Sequence, residues 1–366
     1  MKLIVTGGGT GGHIYPAIAV AKKMKIAMPD AEVLYIGSVY GPEKRLVTQE
    51  QLVFQSIHVR SINRLQPIKA FWAVLLLFRA LYESYLIMKR FRPDLVLGTG
   101  GYASGPVVLM AQIMGIETLI HEQNAVPAWT TKLLSNYASK ILISYKESIP
   151  YFKNKNRLYY TGNPVREVFL HTNRAESRSA LQIPNDAFVV LFHGGSNGAE
   201  VINNMAVALM ESLDRYENLH IYVLTGKKLL KMVKKQMDIQ DKHPRIHVYD
   251  YSHQIVRLMH ASDLVVCRAG AVALAEMTAI GLPGFLVPNP KSLDSHQIHN
   301  ASVFSKAEAC VVIEEGPEAT NLFLRKFDEV FYNRNQLLTM KKNYESLMRE
   351  NALNTIISII YTYHLR

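Results

Sequence analysis

LIVTGGGTGGHIYPAIAVAKKM (Leu3–Met24) and AFVVLFHGGSNGAEVINNMAVAL (Ala187–Leu209) follow one plan. A short apolar, β-branched run enters a glycine-rich turn, and a helical pattern leaves it. Glycine at such density lets the backbone take positive φ or approach a neighbour that side chains would hold off. The plan returns half a chain later, so two domains of similar build are expected within the 366 residues.

Outward from these two stretches, β-branched runs alternate with helical patterns. In the first half strands are expected at Leu3–Thr6, Val33–Ile36, Leu95–Leu97, Glu117–Ile120 and Lys140–Ile143. In the second half they are expected at Ile221–Leu224, Ile246–Tyr249, Leu264–Cys267, Gly284–Val287 and Cys310–Ile313. Helices are expected at Pro16–Met24 and over about Ile68–Phe91. Such alternation implies α/β architecture with parallel sheets, here two Rossmann-like domains. YYTGNPVREVF (Tyr159–Phe169) breaks the rhythm and the polar HTNRAESRS follows it, so the boundary is placed there, with domains at 1–164 and 165–344. Loops at the carboxyl ends of both sheets would face a common cleft, the expected binding site.

Composition narrows the function. Apolar residues make up 49% and charged residues 19%, which supports a sizeable core. A net charge of +11 favours an anionic partner, such as a phosphorylated metabolite or an anionic lipid surface. Lys/Arg blocks with interleaved aromatics are lacking, so nucleic acid is not expected. The two cysteines, Cys267 and Cys310, have no CxxC spacing, which argues for a reducing compartment and against a zinc site. The first residues lack a signal-peptide apolar region. The longest apolar run, Ala70–Phe78, has nine residues where a bilayer span needs about 20. A cytoplasmic protein is expected.

Three glycine runs follow apolar strands: Gly7–Gly12, Gly98–Gly105 and Gly194–Gly198. One such run can be no more than a tight turn; three suggest a ligand, because helix N-termini offer unpaired N–H groups and partial positive charge to a phosphate. Gly7–Gly12 satisfies the dinucleotide fingerprint, but no acid ends the following strand VLYIGS to hold a ribose. No glycine run carries the GK[ST] of a P-loop, and no D-x-D is present to hold a metal on a diphosphate.

Seven motifs come in order: GGTGGH (Gly8–His13), PDLVLGTGGYASGP (Pro93–Pro106), HEQN (His121–Asn124), GNPVR (Gly162–Arg166), GGSNGA (Gly194–Ala199), CRAGAVALAE (Cys267–Glu276) and DSHQIHNA (Asp294–Ala301). Over nearly the whole chain this series resembles the MurG family of peptidoglycan N-acetylglucosaminyltransferases. The resemblance implies a GT-B fold whose C-terminal helix, about 345–366, returns to the first domain. It implies inverting transfer of GlcNAc from UDP-GlcNAc to the 4-hydroxyl of MurNAc in undecaprenyl-diphospho-MurNAc-pentapeptide (lipid I), giving lipid II. No cofactor and no required metal are expected.

An inverting transfer needs a base for the acceptor hydroxyl and a counter-charge for the departing diphosphate. His13, ending the first glycine run, is the expected base; a lone histidine there reads equally as a capping or packing residue. Following the resemblance, Glu276 holds the ribose hydroxyls of UDP, and Ser196 with the N–H groups around Gly195–Gly198 holds its diphosphate. Asn197 stands where the family often has the longer Gln, and Ala269 and Ala273 where it often has a hydroxyl residue. Arg166 is expected to neutralise phosphate charge. Asn124 with Thr10, Gly11 and Gly12 is expected to face the transferred sugar or the acceptor. His296 and Gln297 are expected to bond the GlcNAc hydroxyls, and Tyr251–Ser252 to lie on the uracil side.

Arg64–Arg90 combines apolar residues with basic flanks, and Phe71, Trp72 and Leu75–Leu77 are expected to touch an anionic membrane surface. Its alternative reading is a buried core helix. The location expected is peripheral, on the cytoplasmic face of the cell membrane. Rival readings are a diacylglycerol glucosyltransferase, a UDP-sugar epimerase on the same scaffold, and a non-catalytic UDP-sugar binding protein.

Overall fold

A computed structural model describes residues 1–61, 67–195, 197–236, 243–347 and 351–364, with side chains of the helix at Pro67 described from Trp72 onward. The chain divides into two compact units, 1–166 with 349–366, and 167–348.

The first unit alternates β1 (Lys2–Thr6), α1 (Gly11–Ala27), β2 (Glu32–Ser38), α2 (Glu43–Gln49), β3 (Val53–Ile57), α3 (Pro67–Phe91), β4 (Leu95–Gly98), α4 (Ser104–Ile113), β5 (Glu117–Glu122), α5 (Trp129–Ser135), β6 (Lys140–Ile143) and β7 (Leu158–Tyr160). The second contains α6 (Val168–His171), α7 (Arg174–Ala180), β8 (Phe188–His193), α8 (Glu200–Glu211), β9 (Leu219–Leu224), α9 (Leu230–Gln236) and β10 (Ile246–Tyr249). It continues with α10 (Ile255–Ala261), β11 (Leu264–Cys267), α11 (Ala271–Ile280), β12 (Gly284–Leu286), α12 (His296–Lys306), β13 (Cys310–Val312), α13 (Ala319–Tyr332) and α14 (Asn335–Asn343). The last helix, α15 (Ala352–Tyr361), belongs to the first unit, where Ile356 and Ile360 join the core beneath α1.

Both sheets are parallel throughout, in the orders β3-β2-β1-β4-β5-β6-β7 and β10-β9-β8-β11-β12-β13. The expected two-domain α/β architecture is borne out. Central strands are buried on both faces, as β1 with Leu3, Ile4 and Val5 fully inaccessible shows. Each such side chain contributes about 1.5–3 kcal/mol of burial. In both sheets the strand order reverses beside the first strand of the unit, between β1 and β4 and between β8 and β11. A doubly wound sheet opens its binding crevice at that reversal. The glycine runs after β1 and β4 flank the first reversal, and the run after β8 flanks the second.

Candidate active site

At the reversal in the first unit the two glycine runs lock together. Gly8 donates its N–H to the Gly100 carbonyl (3.2 Å). Gly101 has φ +77°, and a Cβ there would lie 1.9 Å from the Gly8 oxygen and 3.1 Å from His13 Cδ2. Only glycine admits this approach, and the space it leaves is filled by the His13 ring.

His13 stands in the first turn of α1. Its Nδ1 lies 3.0 Å from the Thr99 carbonyl oxygen and 3.0 Å from Gln123 Oε1. The Thr99 hydroxyl donates to the His13 carbonyl (2.7 Å). The ring is therefore held from the β4–α4 and β5–α5 loops at once. Beneath the loop lies Glu43, fully buried, whose Oε1 accepts the Gly9 N–H (2.8 Å). The Tyr35 hydroxyl donates to the Gly7 carbonyl (2.6 Å); burial and the nearby Glu43 charge push its pKa well above the usual phenol range. Glu43 thus takes one N–H of the run, and among the described residues Thr10, Gly11 and Gly12 keep theirs unengaged at the α1 N-terminus.

Asn124 follows β5, with its N–H and its amide both donating to Glu122 Oε1 (3.0 Å each). Arg166 stacks on Tyr15 of α1, its guanidinium carbon 4.8 Å from the ring centroid. The structure thus gathers Thr10–His13, Asn124 and Arg166 in the first unit.

The remaining expected site residues lie in the second unit. Ser196 lies outside the described residues. Its neighbour Gly198 has φ +76°, and a Cβ there would lie 1.9 Å from the Thr225 oxygen. The Gly226 N–H donates to Asp250 O (3.0 Å), which ties the loop after β9 to the one carrying Ser252. Ser252 Oγ accepts the Gln254 N–H (3.0 Å) and so shapes its own turn. Glu276 is only 7% exposed, so it is no solvated helix-face acid. His296 starts α12 and donates from Nδ1 to the Leu293 carbonyl (2.7 Å), which leaves Nε2 as the outward nitrogen. Gln297 Oε1 accepts the Asn289 N–H (2.9 Å), so only its NH₂ remains for a ligand. Asn300, fully buried, donates to the Ala269 carbonyl (3.2 Å) and ties α12 to the loop after β11.

Trp72, Phe78 and Tyr82 on α3 are 60%, 67% and 62% exposed, so this face of α3 is not part of a core. The side chain of Phe71 lies outside the described ones, Leu75 is exposed, and Leu76 and Leu77 are half-buried. No helix among the described residues is long and apolar enough to cross a membrane.

Reading the residues one at a time passes over Glu43, His121 and Gln123. The last two sit inside the HEQN motif, so a signal was present; Glu43 carries none, because an acid in the first turn of a helix is ordinary.

Residues 3–143 match the glycosyltransferase family 28 N-terminal domain and residues 189–356 its C-terminal domain. The chain is 40% identical, over 98% of its length and 97% of the relative's, to the UDP-N-acetylglucosamine–N-acetylmuramyl-(pentapeptide) pyrophosphoryl-undecaprenol N-acetylglucosamine transferase of Acetivibrio thermocellus.

The chain belongs to the MurG group of glycosyltransferase family 28. Among solved structures, Acinetobacter baumannii MurG superposes with a TM-score of 0.74 at 24% identity, covering 99% of both chains. A UDP-GlcNAc 2-epimerase from Neisseria meningitidis superposes with a TM-score of 0.72 at 13% identity, covering 99% of this chain and 100% of the other. At these identities both establish the shared GT-B fold alone. In this chain GGTGGH and GGYASGP lie at the reversal of the first sheet, with HEQN at the end of the adjacent strand β5, and GGSNGA and CRAGAVALAE lie at the reversal of the second.

Proposed function

We propose that this chain transfers N-acetylglucosamine from UDP-GlcNAc to the 4-hydroxyl of MurNAc in undecaprenyl-diphospho-MurNAc-pentapeptide, with inversion, releasing UDP and lipid II. The observation that carries this is the full-length similarity to the A. thermocellus transferase, in which both family 28 domains are kept. The first unit serves the acceptor and the second the donor. His13 takes the hydroxyl proton. The free N–H groups of Thr10–Gly12 and the Arg166 guanidinium meet phosphate charge, while Asn124 faces the sugars. Glu276 accepts the ribose hydroxyls, the run around Ser196 holds the UDP diphosphate, and Ser252 lies on the uracil side. Gln297 through its NH₂ and His296 through Nε2 select GlcNAc.

No cluster of metal-ligating side chains occurs among the described residues. The proposed catalysis uses helix N-termini and cations in place of a metal, and EDTA is expected to leave the rate unchanged. The exposed apolar face of α3, with Lys89 and Arg90 in its last turn, supports peripheral attachment to an anionic surface at the cytoplasmic face of the membrane.

The test is transfer of label from UDP-GlcNAc to lipid I, run beside diacylglycerol and beside no acceptor. Label appearing in lipid I alone supports the reading. Label in diacylglycerol, or isomerised UDP-sugar without an acceptor, transfers the assignment to a rival.

A further inference from the structure

HEQN and GNPVR meet at the end of β5 and are joined by an ordered series of hydrogen bonds. His121 Nε2 lies 3.0 Å from the Gly162 carbonyl oxygen. A carbonyl only accepts, so Nε2 carries the proton. His121 is fully buried, and desolvation pushes its pKa down to about 4, so at neutral pH its Nδ1 is bare. That bare nitrogen accepts from Gln123 Nε2 (2.9 Å), which also donates to the His121 carbonyl (2.9 Å). Both protons of the amide therefore point toward His121, and the orientation of Gln123 follows from its partners. Asn163 holds the Gln123 backbone, donating from Nδ2 to its carbonyl (3.1 Å).

The consequence falls on His13. Gln123 must present Oε1 to His13 Nδ1, and Thr99 presents a carbonyl oxygen to the same atom, each at 3.0 Å. Two acceptors face one nitrogen, so the proton of neutral His13 resides on Nδ1 and the lone pair on Nε2.

We propose that Gln123, itself oriented by His121, is a positioning residue that holds His13 in the Nδ1–H tautomer and so presents Nε2 as the base. This rests on reading His13 as the base. In the step it serves, the acceptor hydroxyl proton passes to Nε2 and the hydroxyl oxygen forms the new bond to the anomeric carbon. The bond from that carbon to the diphosphate breaks, and UDP leaves with its electron pair. The Nδ1 proton stays between Oε1 and the Thr99 oxygen and stabilises the imidazolium. The partner is a neutral amide, so the base is oriented without the added basicity a carboxylate would confer.

The charged groups on the neighbouring elements are otherwise engaged. Glu43 of α2 holds the Gly9 N–H, Glu122 holds Asn124 and the Ala128 N–H, and Arg166 stacks on Tyr15. The β4–α4 loop, Thr99–Ala103, brings no charge.

The experiment joins two measurements on the full chain. The first is the imidazole ¹⁵N spectrum, assigned through His13→Ala and His121→Phe. Protonated Nδ1 and bare Nε2 on His13 at a pH above its titration support the proposal; the reverse tautomer overturns it. The second is the pH profile of kcat/KM for the acceptor. Gln123→Leu is expected to lower kcat by ~10–100-fold at nearly constant KM for UDP-GlcNAc, and to move the acid limb to lower pH. Gln123→Glu is expected to move the limb to higher pH, because a carboxylate stabilises the imidazolium. An acid limb unmoved in Gln123→Leu overturns the proposal whatever happens to kcat. Should Gln123→Glu fail to fold, the spectrum and the Leu profile decide. Full transfer by His13→Ala would overturn the base reading instead, leaving the tautomer result intact.

Discussion

The two glycine runs that open the two units share a local plan and differ in what surrounds them. The run after β1 is packed with polar side chains: Glu43 beneath it, His13 at its end, and Gln123 and the Thr99 carbonyl fixing that ring. The run after β8 packs against bare backbone, with Gly198 pressed on Thr225 and Gly226. Its preceding histidine, His193, has an Nε2 with no partner among the described residues. A carboxylate already placed against Gly9 offsets part of the positive potential of the α1 N-terminus, whereas among the described residues no buried acid is bonded to the second run. The same turn thus serves to orient a titratable ring in one unit and, in the proposed function, to cradle an anion in the other.

The largest effect that tests this contrast is the loss of the ring. His13→Ala is expected to lower kcat by ~100–10,000-fold, the range of general-base contributions, while UDP-GlcNAc binding by calorimetry stays within a few-fold. A matching loss of donor affinity would erase the division of labour between the units.

Next comes acid stability. His121 and His193 both titrate near 4 in the folded chain, pushed down by burial from 6.5. Between these values the unfolded chain binds more protons, so stability falls as pH drops from about 6.5 to about 4, by up to about 3 kcal/mol per histidine. Urea melts at pH 7.5 and pH 4.5 read this. His193→Leu is expected to cost little at pH 7.5, since it strands no bonded partner, and to remove its share of the acid slope. His121→Leu strands the Gly162 carbonyl and the Gln123 amide, and is expected to destabilise at both pH values. Equal behaviour of the two variants at pH 7.5 would mean that the hydrogen bonds of His121 add no stability that His193 lacks.

Glu276→Gln is expected to raise the KM for UDP-GlcNAc by roughly 10–100-fold, the worth of charge-assisted hydrogen bonds, with a smaller change in kcat. An unchanged KM would remove Glu276 from the donor site.

The smallest effects come from the glycines themselves. Gly101→Ala and Gly198→Ala each place a Cβ against a carbonyl oxygen at positive φ, and each is expected to cost about 1–2 kcal/mol in denaturant melts. They should then diverge in kinetics. Gly101→Ala displaces His13 and lowers kcat, whereas Gly198→Ala weakens donor binding and raises KM.

Much of the fold was legible along the chain. Central strands are continuous apolar runs because both faces are covered, and Lys140–Ile143, Ile246–Tyr249 and Leu264–Cys267 have the bounds the pattern implied. Two strands escaped it, β3 (VFQSI) and β7 (LYY), the two edges of the first sheet. Edge strands are half-exposed, and a polar centre or a three-residue length leaves no periodicity to read.

Hydrophobic period and glycine tolerance act over a few residues, so the strand–glycine–helix units, their repetition and the order of the motifs are written along the chain. What those motifs do to one another is set by tertiary contacts. Glu43 reaches Gly9 across 34 residues, and Gln123 reaches His13 across 110. Such pairings depend on strand order, and the direction of each hydrogen bond depends on burial stripping water from the groups that make it.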